Sequence, residues 1–376
     1  MGKITLLLLL AWASSPAFAD EPVTVEQLGK LLVSAHGMTD EKVARQLSEL
    51  TLTERLSAVT FSRLEAELPG PESRRSLGIL ADVSAFLDLP AAEIPNRAAP
   101  DIAAQRQVLT QTVSYVSKTI HQLPDFSATR HTAHFKDSAP VHSAKVALVP
   151  SWPLHPIGES ADTVLFRDGN EVVDSGLVKG NGSQSEPKGL IFSGIFGPLL
   201  GLVFVDAAQS KLAWSHWEQG MLGPQAIFRY MVPVEKSHYK LRVCCTPFVA
   251  GDHVFQETSG YHGEIAIDPT NGTVLRVTLI ADSTSTDLIS RSKLLVEYGP
   301  VEIEGKSYIC PIKTVAITTT PEISSSDYEI GWNHGVFLDN HGMPPGDLYP
   351  LTLLNEVIFD QYQSTTRGTR IPPGKN

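Results

Sequence analysis

The stretch GEIAIDPTNGTVLRVTLIA, residues 263–281, decides the fold of this chain. At its centre, residues 268–272 read Asp-Pro-Thr-Asn-Gly, in which proline presets φ and Asn-Gly accepts a positive φ, so a tight turn is expected. Many of the strand-like runs of this chain alternate apolar and polar residues. The stretch therefore predicts two antiparallel strands with one buried face and one face that contacts water or a ligand.

Further strand-like segments recur on both sides of this hairpin and are bounded by turn residues. They are residues 126–135, 164–166, 171–173, 211–218, 225–232, 238–245, 293–298, 301–303, 308–317 and 354–362. Residues 137–156 are a Pro/Ser-rich connection, and residues 196–208 are one short helix. This order predicts a curved antiparallel sheet with a helix packed in its concavity.

The first hundred residues after the leader have helical periodicity instead. Thr24, Thr39 and Thr53 are expected N-caps of three helices, followed by helices at about 71–87 and 101–122. The fold class is therefore α+β. We expect a helical bundle at residues 20–123, an antiparallel β domain at 124–366 and a disordered tail at 367–376.

Residues 1–19 have the pattern of a secretory signal peptide. Lys3 is followed by a compact apolar run, Thr5–Trp12, and then by the small residues Ala17 and Ala19 around Phe18. Such a segment is too short to span a bilayer and is removed on export. The mature protein is expected to be periplasmic or secreted.

The composition of the chain and the motifs it lacks exclude several classes of function. The 376 residues have a formal net charge of −11 and are 42% hydrophobic, which suits folded domains and disfavours a nucleic-acid partner. The sequence contains no Gly-x-Ser-x-Gly, His-Glu-x-x-His or phosphate-binding loop motif. We therefore predict no catalytic residue, no cofactor and no metal site.

Three cysteines, Cys244, Cys245 and Cys310, occur in a chain expected in an oxidising compartment. Adjacent residues of a strand point to opposite faces, so only one of the first two can face Cys310. Cys245 shares its face with three apolar or aromatic residues, which favours a Cys245–Cys310 disulfide. The alternative is three unpaired buried thiols.

The segment WSHWEQG, residues 214–220, invites a catalytic interpretation. On a regular strand Trp214, His216 and Glu218 share one face, while Ser215 lies on the other with Trp217. Ser215 and His216 are then unable to act as a nucleophile and its base. His216 and Glu218 are two possible metal ligands, but a catalytic zinc site needs a third protein ligand. The alternative is a half-buried strand with a hydrogen-bonded histidine.

Aromatic residues on consecutive predicted strands give the candidate ligand site. They are Trp214, Trp217, Phe228, Tyr230 and Tyr239. On the concave side of a curved sheet they would form a broad apolar surface that fits an acyl chain or a hydrophobic peptide. The alternative is that the 196–208 helix fills this surface completely.

Several stretches, among them LTERLS (52–57), LPDFSATRHT (123–132) and WSHWEQG (214–220), resemble an uncharacterised family of secreted bacterial proteins. The layout of residues 124–317 is similar in topology to the lipoprotein-carrier and sigma-factor-regulator envelope fold. That resemblance implies a curved antiparallel sheet that holds or senses lipid acyl chains.

The leading hypothesis is an exported, non-enzymatic binding protein of the cell envelope. Its β domain would hold a hydrophobic small molecule or lipid, and its helical domain would bind an envelope protein partner. One alternative is a secreted hydrolase that uses His216, Glu218 or His262 with Glu264. Another is a scaffolding module that acts through the helical bundle.

Overall fold

A computed structural model describes most of the chain. The described residues are 22–138, 141–143, 146–149, 152–172, 189–244, 254–282, 289, 291–319 and 351–365. The expected signal peptide (1–19) and the expected tail (367–376) lie outside this set. No helix among the described residues is long and apolar enough to cross a membrane.

The described elements are six α-helices and fifteen strands. The helices are α1 (Val25–Ser34), α2 (Asp40–Ser48), α3 (Ala58–Glu65), α4 (Pro71–Ser84), α5 (Ile102–Gln122) and α6 (Pro198–Ala208). The strands are β1 (Phe126–Ser138), β2 (Val141–Ser143), β3 (Val146–Val149), β4 (Trp152–Arg167), β5 (Asn170–Val172), β6 (Gly189–Leu190), β7 (Lys211–Gly220), β8 (Gly223–Val232), β9 (Lys240–Cys244), β10 (Val254–Thr258), β11 (Tyr261–Ile267), β12 (Val274–Ala281), β13 (Arg291–Ile303), β14 (Lys306–Thr319) and β15 (Thr352–Ser364).

Ten of these strands form one large antiparallel sheet. Its order is β5-β4-β1-β15-β14-β13-β12-β11-β8-β7, and it is open because β5 and β7 are separate edges. The β11–β12 hairpin is as the sequence predicted: the Gly272 amide donates to the Asp268 carbonyl at 2.9 Å, and Gly272 has φ +77°. A Cβ at Gly272 would lie 2.6 Å from the α5 backbone, so glycine also lets this turn approach α5.

The sheet has two differently covered faces, named here by the helix on each. The α6 face carries Phe228, Val296 and Val357, which belong to the same core as α6. The α4 face carries Leu295 and Val315, which pack against α4. Strand alternation separates these two sets, as expected for a sheet covered on both sides.

The expected helical bundle is not confirmed. Helices α1 to α4 share a small core that includes Leu28, Leu47 and Leu77. The longest helix, α5, instead contributes Val108 and Val116 to the core of the α6 face. The residues expected to form one bundle thus divide between the two faces of the sheet, because the apolar side of α5 packs with α6 and the strands.

Several local predictions were wrong for identifiable reasons. The third helix begins after Ser57, whose hydroxyl accepts from the Thr60 amide at 3.2 Å, and not after Thr53. Residues 152–156 belong to β4 despite two prolines, since β4 lies near the edge of the sheet, where a missing amide donor is tolerated. The two strands expected at 293–298 and 301–303 are one strand, β13.

The expected Cys245–Cys310 disulfide is not seen. Cys310 is a free thiol, fully buried in β14 of the large sheet. Cys244 ends β9 in a separate three-stranded sheet, and Cys245 lies outside the described residues. Burial raises the pKa of the Cys310 thiol to about 12, which keeps it protonated and unreactive.

Candidate functional site

The five predicted ligand residues come together on the α6 face. Trp217, Phe228, Tyr230 and Tyr239 are buried in one core, and Trp214 packs half-buried against it. The Trp214 ring centre lies 4.8 Å from that of Trp217 and 5.6 Å from that of Phe228. The predicted aromatic surface therefore exists as a cluster, and in this structure it is covered.

The covering element is the segment 189–208, called here the cover. It consists of β6, a connection and α6, and it places Ile195, Phe196 and Val203 in the core. Helix α6 (PLLGLVFVDAA) is apolar on its outer side as well, where Val205 is 53% exposed. A surface helix normally has a polar outer side, so α6 is unusual in this respect.

Two glycines form the start of α6. Gly194 has φ +76° and Gly197, at the N-cap, has φ +155°. Both values lie in the region that side chains other than glycine avoid. A Cβ at Gly194 would also lie 3.1 Å from the Cβ of Pro198. The connection before α6 thus requires glycine at both positions, and its Phe196 amide donates to Glu171 at 3.4 Å.

The other end of α6 is fixed by one buried carboxylate. Asp206 is fully buried and accepts hydrogen bonds from the Tyr261 hydroxyl at 2.9 Å and the His238 amide at 2.9 Å. The His238 ring nitrogen Nδ1 lies 2.5 Å from the same carboxylate, while the ring is largely exposed. Asp206 is therefore the main polar attachment of α6.

The strand β7 departs from the regular geometry expected for it. The pairing of β7 with β8 shifts by one residue between Trp214 and His216, which is a β-bulge. The expectation that Ser215 and His216 lie apart was therefore wrong: the Ser215 hydroxyl is 2.9 Å from His216 Nδ1. His216 Nε2 lies 3.1 Å from Glu218.

Glu218 is also the centre of an ion-pair cluster between the helices and the sheet. Arg55, from the loop before α3, donates to Glu218, and Arg276 of β12 contacts both Glu218 oxygens at 3.0 and 3.2 Å. Arg276 lies 3.8 Å from Glu264, and Arg229 donates to Glu264 at 2.9 Å. These contacts join residues far apart in sequence, so no local pattern could have revealed them.

The contacts in this cluster shift the pKa values of its members. Burial raises the pKa of Glu218, but Arg276, His216 and Arg55 outweigh it and hold that pKa well below its ordinary value. Burial also lowers the pKa of Arg55. Two arginines bind the Glu218 carboxylate, so it is a weak acceptor for a proton on His216. This weakens the interpretation of Ser215, His216 and Glu218 as a catalytic triad.

A second ion-pair cluster lies further along the α4 face. Asp82 of α4 contacts Lys313 at 2.7 Å, and Lys313 contacts Glu356 at 2.8 Å. Burial raises the pKa of Asp82 to about 7 despite the ion pair with Lys313. The helices thus meet this face of the sheet through buried charges as well as through apolar contacts.

The remaining residue of the hydrolase alternative, His262, does not join the cluster. Its Nδ1 lies 3.1 Å from Asp282, and both side chains are exposed. Among the described residues, no group of three or more metal-ligating side chains comes together.

Comparisons with protein-family models, with curated proteins and with solved structures found no match to this chain. The resemblances drawn from the sequence therefore stay predictions.

Proposed function

We propose that this chain is an exported binding protein that holds an acyl-chain lipid on the α6 face of its sheet. The ligand would enter by displacing α6 from the aromatic cluster of a curved sheet. One observation carries the proposal: a helix that is apolar except for Asp206 lies on an aromatic sheet face, and the connection before it has two glycines with positive φ.

The chemistry of this contact supports exchange with a ligand. Apolar contacts are not directional, so a hydrocarbon chain can replace a hydrocarbon side chain at little net cost. Phe228, Ile265, Val277, Val296 and Thr314 form one row across five neighbouring strands. Four strand spacings of roughly 4.8 Å give a track of about 19 Å, which suits a long acyl chain.

The export part of the proposal rests on the N-terminal sequence pattern described above. A carrier outside the cytoplasm has a clear task, because a free acyl chain is poorly soluble in the aqueous space it must cross. The proposal needs neither a cofactor nor a catalytic residue.

A titration with N-phenyl-1-naphthylamine, an apolar dye that fluoresces out of water, tests the proposal. We expect saturable binding to the purified protein and weaker binding by Trp214→Ala, which removes the half-buried edge of the cluster. Phe86→Ala is the matched control, because Phe86 is an aromatic residue on the α4 face. The absence of saturable binding, or equal loss in both variants, would contradict the proposal.

A second candidate is a serine hydrolase, favoured by the contacts of Ser215 with His216 and of His216 with Glu218. The two arginines on Glu218 weigh against it. A fluorophosphonate probe, which phosphonylates an activated serine and releases fluoride, tests whether the protein is a serine hydrolase. Labelling that Ser215→Ala abolishes would favour the hydrolase, and an unlabelled protein would eliminate it.

A further inference from the structure

Three hydroxyl groups on the α6 face are buried without a hydrogen-bond partner. They belong to Ser292 of β13 and to Thr314 and Thr318 of β14, each at most 2% exposed. None of the three finds a partner among the residues that the structure describes. A buried hydroxyl left unpaired costs free energy, so three on one surface require an explanation.

The three side chains share one surface. Thr318 pairs directly with Ser292, and Thr314 pairs with Val296 on one side and Val357 on the other. Ala316, between the two threonines on the same face, belongs to the core of the α6 face. By strand alternation the hydroxyls therefore face the space under the cover and not the helices α1 to α4.

The cover lies over this part of the sheet. Strand β6 contacts β14 and β15, and the Tyr298 hydroxyl of β13 donates to the Ile195 carbonyl at 3.0 Å. Thr314 also lies in the same cross-strand row as Phe228, at the opposite end of the track proposed for the acyl chain. The Thr314 hydroxyl thus lies where the end of a bound chain would lie, while Ser292 and Thr318 lie roughly 13 Å further along their strands.

The surroundings of these hydroxyls select the kind of group they would bind. The other residues of β13 and β14 on this part of the face, Leu294, Val296 and Ala316, are uncharged, while Lys293 and Lys313 lie on the α4 face. A carboxylate placed here would be a buried charge without a cation. A neutral carbonyl can accept hydrogen bonds from the hydroxyls without that penalty.

We propose that the Thr314 hydroxyl, which lies at the end of the track, is a polar subsite for the ester or amide carbonyl of an acylated ligand. The inference rests on the proposed function, since it names the class of ligand that the α6 face takes: acyl esters or amides in preference to free fatty acids or plain hydrocarbons.

Competition against N-phenyl-1-naphthylamine by methyl laurate, laurate and dodecane tests this subsite. One hydrogen bond to a neutral carbonyl changes affinity by about two- to tenfold. We expect methyl laurate to compete better than dodecane and laurate by at least that factor. Thr314→Val should remove the preference for the ester and leave dodecane competition unchanged. Thr318→Val, the same change roughly 13 Å away on β14, should keep the preference.

The same valine variants separate a binding role from a structural one. Valine keeps the β-branched shape and removes an unpaired hydroxyl, so neither variant should lower the urea midpoint. Thr112→Val is the matched control, because the buried Thr112 hydroxyl donates to the Val108 carbonyl at 2.9 Å. This control should lower the midpoint and keep the ester preference. Thr314→Ala serves if Thr314→Val fails to fold.

The outcomes are distinguishable. Equal competition by the ester and the alkane, or an ester preference that survives Thr314→Val, would overturn the subsite and leave the lipid-binding proposal intact. Failure of the dye to bind the unaltered protein would overturn the proposed function itself and the subsite with it.

Discussion

The two faces of the ten-stranded sheet are covered in different ways. On the α4 face, buried charges such as Arg55 with Glu218 and Asp82 with Lys313 join the helices to the strands. On the α6 face, the cover contributes mainly apolar side chains and one buried carboxylate, Asp206. Breaking a buried ion pair is costly, whereas one apolar surface can replace another. The proposed function therefore gives the α4 face a fixed role and the α6 face an exchangeable cover.

The largest effect should come from removing a charge on the α4 face. Arg55→Ala leaves Glu218 buried with one arginine fewer, and we expect the free energy of unfolding to fall by about 3–5 kcal/mol. Urea denaturation followed by circular dichroism measures it. Arg130→Ala is the control, because its ion pair with Asp162 is about two-fifths exposed, and a loss below about 1 kcal/mol is expected. Similar losses in the two variants would contradict the fixed role of the α4 face.

Asp82 should give the α4 face a characteristic pH dependence. Its folded pKa of about 7 lies above the unfolded value of roughly 3.9, so between these values only the folded state keeps the proton. The free energy of unfolding should therefore fall as pH rises from about 4 to 7, by at most about 1.4 kcal/mol per pH unit. Glu218 acts oppositely: its pKa is lowered, so its stabilisation is present above about pH 4.3 and lost in acid.

Urea midpoints between pH 4.5 and 7.5 measure the contribution of Asp82. Asp82→Asn cannot titrate, so the slope assigned to Asp82 should be absent in this variant. Asp162→Asn, which changes an exposed acid of the same type, should keep the slope of the unaltered protein. An unchanged slope in Asp82→Asn would show that the pH dependence arises elsewhere.

Loosening the cover should lower the free energy of unfolding less than Arg55→Ala does, and it should strengthen ligand binding. Asp206→Ala removes the acceptor of three contacts to Tyr261 and His238, at a cost of about 1–3 kcal/mol. Because the open state becomes more populated, N-phenyl-1-naphthylamine should bind more tightly. Asp282→Ala removes an exposed Asp–His contact outside the cover and should leave dye binding unchanged. Tighter binding in neither variant, or in both, would contradict the role of Asp206 as the main polar attachment of α6.

The smallest effect is expected at Cys310. Because this thiol is free and buried, Cys310→Ala should cost about 1 kcal/mol, and not the 2–5 kcal/mol typical of a lost native disulfide. In the unaltered protein Cys310 should react with a thiol reagent only after unfolding. Rapid labelling of native Cys310, or a band shift on reduction that depends on it, would contradict the assignment.

Local chemistry in the sequence was enough for the regular elements. The Asp268–Gly272 turn predicted the β11–β12 hairpin, and Thr24 with Gln27 predicted the capping box that begins α1. The 196–208 helix was also expected, at α6. Each of these signals acts over a few residues, where propensity and hydrogen-bonding pattern suffice.

The missed features depend on contacts between distant residues. A single extra residue in β7 turned Ser215 toward His216. A β-bulge of this kind interrupts the regular alternation from which the faces of a strand are predicted. Arg55 meets Glu218 across 163 positions, which no single sequence reveals. The alternation of β14 does put Thr314 and Thr318 on one face, but only the structure shows that their hydroxyls are buried and unpaired.

Mass spectrometry of the protein purified from the envelope fraction of cells that export it tests the central claim most directly. Native and denaturing spectra of the same sample are compared. The account predicts an extra mass on the folded protein that leaves on denaturation and extracts as an acylated lipid. A clean unliganded mass, together with tryptophan fluorescence that does not respond to added methyl laurate, would contradict the assignment of the α6 face as a lipid site.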